Sequence, residues 1–155
     1  EQSRDDVQIV RAGFDAILTG GNTVRNDNPR MNARVNFEVN QPQKILLTSQ
    51  KINKELNFFK TGDVIINRSS DLNKVITELS NTEINSILVE AGPNLVKAFL
   101  DNYVVDEIII YKSNITLGDE GVSWFENKTI ESLGFDLKSS LKINDDSKET
   151  YLKRT

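Results

Sequence analysis

Two short glycine-containing segments hold the polar residues that are best placed for chemistry. Residues 15–34 have the sequence DAILTGGNTVRNDNPRMNAR, and residues 86–111 begin with SILVEAGPNL. In each segment a short apolar run ends at a glycine turn, where the missing side chain lets the backbone approach a ligand closely. Arginines follow the first turn and a helix N-terminus follows the second, and both are suited to binding phosphate.

Two residue types that carry much enzyme chemistry are absent. The 155-residue sequence contains no histidine and no cysteine, which excludes a thiolate nucleophile, a Ser-His triad and a zinc site with thiol or imidazole ligands. Carboxylates, lysine, tyrosine or a bound cofactor remain, and no metal site is predicted. Hydride transfer is compatible with these limits, because a cofactor supplies the reacting hydrogen while the protein positions and polarises the substrate.

The first segment is predicted to form a strand, a turn, a short helix and a loop. The apolar run at 16–18 is short and unbroken, as expected of a strand covered on both faces. Asn22 and Thr23 are predicted to cap the helix with their side-chain oxygens. The helix must end by Asn28, because the residue before Pro29 is sterically biased away from the helical region.

The second segment predicts a buried strand followed by the start of a helix. Residues 87–89 are interpreted as the best buried central strand, which delivers Glu90 to its carboxyl end. Proline at the first helical position is favourable, because a missing N–H costs nothing there. The turn would present backbone N–H groups to a cofactor's phosphates; its residues are Gly92, Pro93, Asn94 and Leu95. The dinucleotide fingerprint G-x-G-x-x-G is absent, which disfavours an ordinary Rossmann domain.

The whole pattern predicts an α/β fold with a mainly parallel central sheet, flanking helices and a C-terminal antiparallel hairpin. Further strands are predicted at 44–48, 64–66 and 108–111, with hairpin strands at 135–143 and 150–154 around a turn at 144–148. A helix capped by Ser70 or Asp71 is predicted after the strand at 64–66. Phe58 and Phe59 are interpreted as core anchors, and Trp124 and Phe125 as a hydrophobic cover on the sheet edge.

Three candidate site residues also have a structural interpretation. Arg11 lies at a helix end, where a cation interacts favourably with the helix dipole. Ser49 follows a strand at the edge where α/β sheets bind ligands, but it could equally be a turn residue. Glu90 could simply accept hydrogen bonds at its strand end, the commoner fate of a partly buried carboxylate.

The composition predicts a single cytoplasmic domain. Hydrophobic residues make up 37% of the chain, and its length is sufficient for one core. No apolar run approaches the ~18 residues of a membrane span, and the first residues lack the hydrophobic region of a signal peptide. The net charge of −4 argues against broad nucleic-acid binding, while leaving room for a local arginine cluster that holds a small phosphate.

Both glycine-containing segments resemble the riboflavin-biosynthesis pyrimidine reductases. Residues 15–34 are similar to a family pattern DAI-x-x-G-x-x-T-x-x-x-D-x-P-x-x-x-x-R, and residues 86–111 are similar to the family's strand, E-x-G-P turn, helix and V-D-E strand. The two motifs occur in the family's order and cover about a third of the chain. The resemblance implies a dihydrofolate-reductase-like fold and the NADPH-dependent reduction of 5-amino-6-(5-phosphoribosylamino)uracil to its ribitylamino form.

The resemblance also implies residue roles. Cofactor contacts are implied for Thr23, Asp27, Ser49, Gly92, Pro93, Asn94 and Leu95, and substrate contacts for Arg11, Met31, Arg34 and Glu90. Arg11 matches an arginine that contacts the substrate's phosphate, and Glu90 matches a glutamate that faces its ribose or ribityl part. No general acid is implied, and solvent water can serve. Family members are typically homodimers, so pairing through the long C-terminal strands is expected.

Three features depart from the family pattern. The family's first strand, with a lysine-containing segment and an S-L-D-G loop, is missing before the first helix, so we expect an N-terminally trimmed single reductase domain spanning 1–155. Ser113 and Asn114 replace the family's A-P pair, although Leu117 and Gly118 retain its L-G element. A zinc deaminase is often fused to the reductase in this family, and without histidine or cysteine any such domain must lie outside this chain.

Two other functions are compatible with the same residues. A noncatalytic domain that binds nucleotide phosphates or pairs with a partner subunit would account for the missing strand and the altered loop at 112–121. A folate-type reductase would keep the fold, although the sequence has no recognisable folate-site pattern. Turnover of the deaminated phosphoribosylaminopyrimidine or of dihydrofolate distinguishes the three.

Overall fold

A computed structural model describes residues 1–115, 118, 121 and 128–155. The helices are α1 (Gln2–Ala12), α2 (Gly21–Asp27), α3 (Leu72–Ser80) and α4 (Pro93–Asp101). The strands are β1 (Ala16–Gly20), β2 (Gln43–Leu47), β3 (Val64–Asn67), β4 (Ile87–Val89), β5 (Glu107–Lys112), β6 (Phe135–Ile143) and β7 (Asp146–Lys153). Leu117 and the expected cover of Trp124 and Phe125 lie outside the described residues. No helix in the described part of the chain has the length and apolarity needed to cross a membrane.

Four short strands form a parallel sheet in the order β3-β2-β1-β4. β1 lies between two neighbours, with Ala16 opposite Gln43 of β2 on one side and opposite Ile87 of β4 on the other. Helices and loops cover both faces of β1, so its apolar run is continuous rather than alternating. Ile17 and Leu18 are accordingly 0% exposed.

Alternate residues of these strands enter two cores on opposite faces of the sheet. The core on the side of α3 and α4 contains Ala16, Leu18, Ile45, Val75, Leu79 and Phe99. The core on the side of α2 contains Ile17, Val24, Met31, Leu46 and Phe58. Consequently α2, which follows β1, and α4, which follows β4, start from adjacent strands and pack on opposite faces.

The remaining strands form an antiparallel sheet in the order β5-β7-β6. The predicted hairpin of β6 and β7 is confirmed, but β7 already begins at Asp146, so the turn is shorter than expected. β5 pairs with β7 rather than extending the parallel sheet. Helix α1 connects the two sheets, because Ser3 donates to Asp146 while Arg11 donates to Glu90 after β4.

Two local predictions are wrong. Asn22 and Thr23 do not cap α2: the N-cap is Gly20, and Asn22 instead accepts a hydrogen bond from Arg25 within the helix. The strand at 87–89 is not central, since among the described strands β4 forms an edge of its sheet and its residues are only partly buried. A short apolar run fits an edge strand as well as a central one, and the sequence pattern does not separate them.

Lys44 of β2 is a buried lysine. It is 2% exposed, and its Nζ donates hydrogen bonds to the carbonyl of Phe58 and to Thr61 Oγ1. Among the described residues no carboxylate forms an ion pair with it. Burial therefore lowers the pKa of Lys44 below its ordinary value of 10.5, because the ammonium group loses its hydration.

We expect Lys44 to make the free energy of unfolding rise with pH in the alkaline range. The unfolded chain keeps this lysine protonated up to about pH 10.5, whereas the folded protein releases the proton at lower pH, so the unfolded state binds more protons in that window. The difference in unfolding free energy, wild type minus Lys44→Met, should therefore increase as the pH rises towards 10.5. Urea unfolding of both proteins measures it, and parallel pH profiles would contradict the prediction.

Candidate active site

The carboxyl ends of β1 and β4 meet at one edge of the parallel sheet. The amide of Glu90, directly after β4, donates to the carbonyl of Leu18 in β1 over 3.0 Å. The chain leaves β1 towards β2 and β3 on one side and returns to β4 on the other. The crevice between β1 and β4 is thus a topological switch point, the place where open α/β sheets bind ligands.

Close packing explains both glycines of the first turn. A Cβ atom on Gly20 would lie 3.3 Å from Leu95 Cδ2, so the first turn contacts the first turn of α4. A Cβ atom on Gly21 would lie only 2.4 Å from Thr48 Oγ1, in the loop after β2. Ser49 follows in that loop and is exposed at the same edge of the sheet. The structure therefore brings the two glycine turns and Ser49 to one edge.

The turn at the start of α4 has fewer backbone donors than predicted. Pro93 has no N–H, and the amide of Leu95 donates to the carbonyl of Gly92 over 3.2 Å. Within the described residues the amides of Gly92 and Asn94 donate to no carbonyl, so both remain available to a ligand. A Cβ atom built on Gly92 meets no atom of the described residues within 4 Å, so the space beside this turn is open to an anionic group.

Thr23 and Asp27 lie on one side of α2. They are four residues apart and are therefore neighbours on the helix surface. Thr23 is half-buried and Asp27 is exposed. Within the described residues neither side chain has a hydrogen bond or ion pair, which leaves a hydroxyl and a carboxylate available. Their contact with a cofactor stays a prediction.

Arg11 and Glu90 form a bidentate ion pair. Arg11 Nε lies 2.7 Å from Glu90 Oε1, and Nη2 lies 2.6 Å from Oε2. The two side chains are 12% and 24% exposed. The pairing fixes the orientation of both groups and occupies two nitrogens of the fork that was expected to bind phosphate. Only Nη1 remains, and it makes long bonds of 3.4 Å to Gln8 Oε1 and to the carbonyl of Asn32.

Gln8 links the two predicted substrate arginines, and the sequence did not reveal it. It is 8% exposed, and its Oε1 accepts hydrogen bonds from Arg11 Nη1 and, over 3.2 Å, from the backbone amide of Arg34. The side chain of Arg34 is exposed, with Nη1 3.3 Å from Asn32 Oδ1. The structure thus brings Arg11, Arg34 and Glu90 into one group. A glutamine in a charged helix normally faces solvent, so nothing in the pattern distinguished it.

Met31 is placed in the core rather than in the crevice. Its side chain is 5% exposed and belongs to the cluster that contains Val24 and Phe58. Its φ of 48° lies in the left-handed region, where the chain turns from α2 towards Arg34. The side chain therefore anchors this turn, and its contact with a substrate stays a prediction.

A second polar group, which the sequence did not reveal, lies near Glu90. The hydroxyl of Tyr111 and Nζ of Lys148 both donate to Asp6 Oδ2, the lysine over 2.7 Å. Burial acts to raise the pKa of Asp6, but these two hydrogen bonds outweigh it and the pKa is lowered. Burial, Asp6 and the charge of Glu90 raise the pKa of Tyr111, so its hydroxyl stays protonated. This group holds α1 on β5 and β7 and thereby positions Arg11.

An open cavity of about 770 Å³ lies at the opposite end of the parallel strands. Its lining includes Phe14 before β1, Gln43 at the start of β2 and Glu83 before β4. None of the predicted site residues lines it. We place the candidate site in the crevice at the carboxyl edge instead, because the polar residues of both glycine segments converge there.

The fold is the α/β domain that the sequence predicted, with a parallel four-stranded sheet, flanking helices and antiparallel C-terminal strands. Residues 1–148 match the family described as the RibD C-terminal domain, and the chain belongs to this family. The predicted family resemblance and fold class are thereby confirmed.

The relatives show how much of a longer protein the chain matches. Riboflavin biosynthesis protein RibD of Haemophilus influenzae is 30% identical over 96% of this chain and 50% of its own length. A Buchnera aphidicola protein named 5-amino-6-(5-phosphoribosylamino)uracil reductase is 26% identical over 94% of this chain and 90% of its own length. Acinetobacter baumannii RibD has the same fold, with a TM-score of 0.86 and 24% identity over 99% of this chain and 51% of that one. The chain spans about half the length of these RibD proteins.

Proposed function

We propose that this chain catalyses the NADPH-dependent reduction of 5-amino-6-(5-phosphoribosylamino)uracil to its ribitylamino form in riboflavin biosynthesis. The observation that carries the proposal is the meeting of the Arg11–Glu90 pair with two glycine turns at one edge crevice. This arrangement suits a reaction in which a cofactor and a sugar phosphate lie side by side. Family membership and the name of the Buchnera relative support the same reaction.

On the cofactor side, the residues fit a nicotinamide dinucleotide. The open space beside Gly92 and the amides of Gly92 and Asn94 suit its phosphates, because a helix N-terminus favours negative charge. The side chains of Thr23 and Asp27, which have no partner within the described residues, can hydrogen-bond ribose hydroxyls. Pro93 and Leu95 hold the shape of the turn.

On the substrate side, we assign the 5′-phosphate to Arg34 and to Nη1 of Arg11, and the hydroxyls of the sugar chain to Glu90. Arginine suits this phosphate because its planar fork matches phosphate geometry. When bound, the cofactor supplies a hydride for the electrophilic carbon of the opened ribose, and water supplies the proton. The residues act by orientation, and no covalent bond to the protein is required.

The test is consumption of NADPH by the natural full-length protein with the deaminated phosphoribosylaminopyrimidine as substrate. We expect the nicotinamide absorbance to fall only when both are present, with a product two hydrogens heavier by mass spectrometry. Turnover of dihydrofolate instead would identify a folate-type reductase. Binding of the cofactor without any turnover would identify a noncatalytic domain. Either result would reject the proposal.

We further infer a cytoplasmic homodimer that pairs through the outer edge of β6. Among the described strands nothing pairs with this edge. It displays Leu137 and Leu141 at 52% and 57% exposure, and a long apolar edge strand left in water invites association. We expect a dimer in sedimentation velocity that dissociates when Leu141 is replaced by lysine. A monomeric wild-type protein would contradict the inference.

A further inference from the structure

Gln8 carries the one oxygen atom, Oε1, to which both arginines of the substrate side donate. It accepts hydrogen bonds from Arg11 Nη1 over 3.4 Å and from the backbone amide of Arg34 over 3.2 Å. The other end of the side-chain amide is fixed as well, because Nε2 donates to the carbonyl of Arg4 over 3.3 Å. Gln8 is only 8% exposed, so its polar atoms depend on these protein partners rather than on water.

The side chains of the two arginines also meet at a common residue, Asn32. Arg11 Nη1 lies 3.4 Å from the backbone oxygen of Asn32, and Arg34 Nη1 lies 3.3 Å from its Oδ1. Arg34 is exposed, and within the described residues its Nε and Nη2 make no hydrogen bond. A phosphate that approaches the guanidinium of Arg34 therefore also comes close to Nη1 of Arg11.

This group of side chains keeps its positive charge because Gln8 is neutral. Glu90 already neutralises Arg11, whereas Arg34 forms no ion pair in the described part of the chain. One positive charge is thus left to attract an anion. A carboxylate in place of the Gln8 amide could accept the same two hydrogen bonds, but its charge would cancel the remaining one. Glutamine supplies the acceptor without that charge.

The loop that carries Arg34 is held in place independently of Gln8. Gln41, just before β2, binds the preceding residue on both sides: its Oε1 accepts from the amide of Ala33 over 3.0 Å, and its Nε2 donates to the Ala33 carbonyl over 2.8 Å. Ala33 is 3% exposed, so the backbone before Arg34 is already fixed. What Gln8 adds is the position of Arg34 relative to the guanidinium of Arg11.

We propose that Gln8 is a positioning residue for the substrate's 5′-phosphate, because it holds Arg11 and Arg34 on one neutral acceptor. The inference rests on the proposed function and adds a residue of α1 that acts through the two arginines. Gln8 thereby favours a pyrimidine whose ribose carries a phosphomonoester over the same pyrimidine without its phosphate. A change at Gln8 weakens binding of the phosphorylated substrate and leaves the hydride transfer itself intact.

The test compares Gln8→Met and Gln8→Glu with the wild type in the natural full-length protein. Both variants keep the length of the side chain and lose the Nε2 donor, but only Gln8→Glu keeps an acceptor. Gln43→Met is the matched control, because the Gln43 side chain donates to the carbonyls of Lys44 and Asp63 at the opposite end of the parallel strands. Kinetics are measured with the phosphorylated and the dephosphorylated pyrimidine, and calorimetry measures binding of ribose 5-phosphate and ribose.

We expect Gln8→Met to raise the KM for the phosphorylated pyrimidine roughly 10-fold with little change in kcat, the effect of a lost hydrogen bond to a charged group. Gln8→Glu should raise this KM at least as much, because the added carboxylate repels the phosphate. The KM for the dephosphorylated pyrimidine should not change in either variant, and Gln43→Met should match the wild type. Ribose 5-phosphate should bind the wild type more tightly than ribose does, and both Gln8 variants should lose this preference.

A purely structural role for Gln8 would give a different pattern. Gln8→Glu would then keep the wild-type KM, or both variants would change the KM for the two pyrimidines equally, and either result would overturn the inference while leaving the reductase intact. Thermal unfolding checks that the variants fold, and Gln8→Glu alone decides the matter if Gln8→Met does not fold.

The binding measurements separate this inference from the proposed reaction. If the wild type turns over neither pyrimidine, the proposed reaction fails, yet a preference for ribose 5-phosphate that Gln8→Glu abolishes would still support the positioning role. A wild type that binds ribose 5-phosphate no better than ribose would overturn the inference whatever the kinetics.

Discussion

The Glu90→Gln variant is expected to lose roughly 10- to 100-fold in kcat/KM for the phosphoribosylaminopyrimidine. Glu90 accepts two short charge-assisted hydrogen bonds from Arg11. Glutamine has nearly the same shape, but it is uncharged and brings an N–H donor to a position that faces the donors of the guanidinium. The variant should therefore bind the sugar hydroxyls more weakly and hold the Arg11 side chain less firmly in its orientation. Steady-state kinetics should show the loss in the KM for the pyrimidine, with little change in the KM for NADPH.

The same variant should also lower the free energy of unfolding by about 2 kcal/mol. Removing one partner of a fully buried ion pair costs roughly 3–5 kcal/mol, and the partial exposure of this pair leaves some hydration to the remaining charge. A double-mutant cycle with Arg11→Met isolates the coupling of the two side chains. We expect coupling both in the unfolding free energy and in the substrate KM.

The chain contains a matched control for this pair. Arg154 Nε lies 2.7 Å from Asp136 Oδ1, but these side chains are 50% and 65% exposed. Asp136→Asn should therefore change stability by no more than about 0.5 kcal/mol and leave the kinetics unaltered. If Glu90→Gln lowers stability while the substrate KM keeps its wild-type value, Glu90 is a purely structural residue and its assignment to the substrate is wrong.

The structural features that could be predicted from sequence are those determined by residues close together in the chain. The helix α2 ends at Asp27 because Pro29 restricts the residue before it. Asp71 caps α3 by accepting a hydrogen bond from the amide of Lys74 over 3.2 Å. The edge position of β4 and the pairing of β5 with β7 depend instead on which strands meet in space. An apolar run specifies burial and carries no information about the partner strand.

The candidate site likewise contains residues that a local motif predicts and contacts that only the tertiary structure shows. Arg11 and Glu90 could each be selected from a local motif, but their direct bond joins residues 79 positions apart, which no spacing rule anticipates. Gln8 was missed because a polar residue in a charged helix normally faces solvent. Only the tertiary structure shows that its side chain is shielded.

Replacing Gly92 with valine should lower kcat/KM for NADPH by about 100-fold while the protein stays folded. The φ and ψ of Gly92 are −69° and 170°, which are accessible to any residue, and a Cβ atom there meets nothing within 4 Å among the described residues. The valine side chain would instead occupy the space in which a cofactor phosphate approaches the amides of Gly92 and Asn94. A misplacement of about 1 Å at a reacting centre is sufficient for a loss of this size.

Gly21 supplies the contrasting variant. A Cβ atom there would lie 2.4 Å from Thr48 Oγ1 and 2.7 Å from Thr48 Cβ, so Gly21→Ala should lower the unfolding free energy by about 1–3 kcal/mol through overpacking. Gly92→Ala should leave thermal stability close to that of the wild type and have a smaller kinetic effect than valine. Thermal unfolding and NADPH kinetics on all three variants separate packing from binding. A Gly92→Val protein with wild-type NADPH kinetics would show that the cofactor does not approach this turn, because the substitution is designed to obstruct that approach and nothing else.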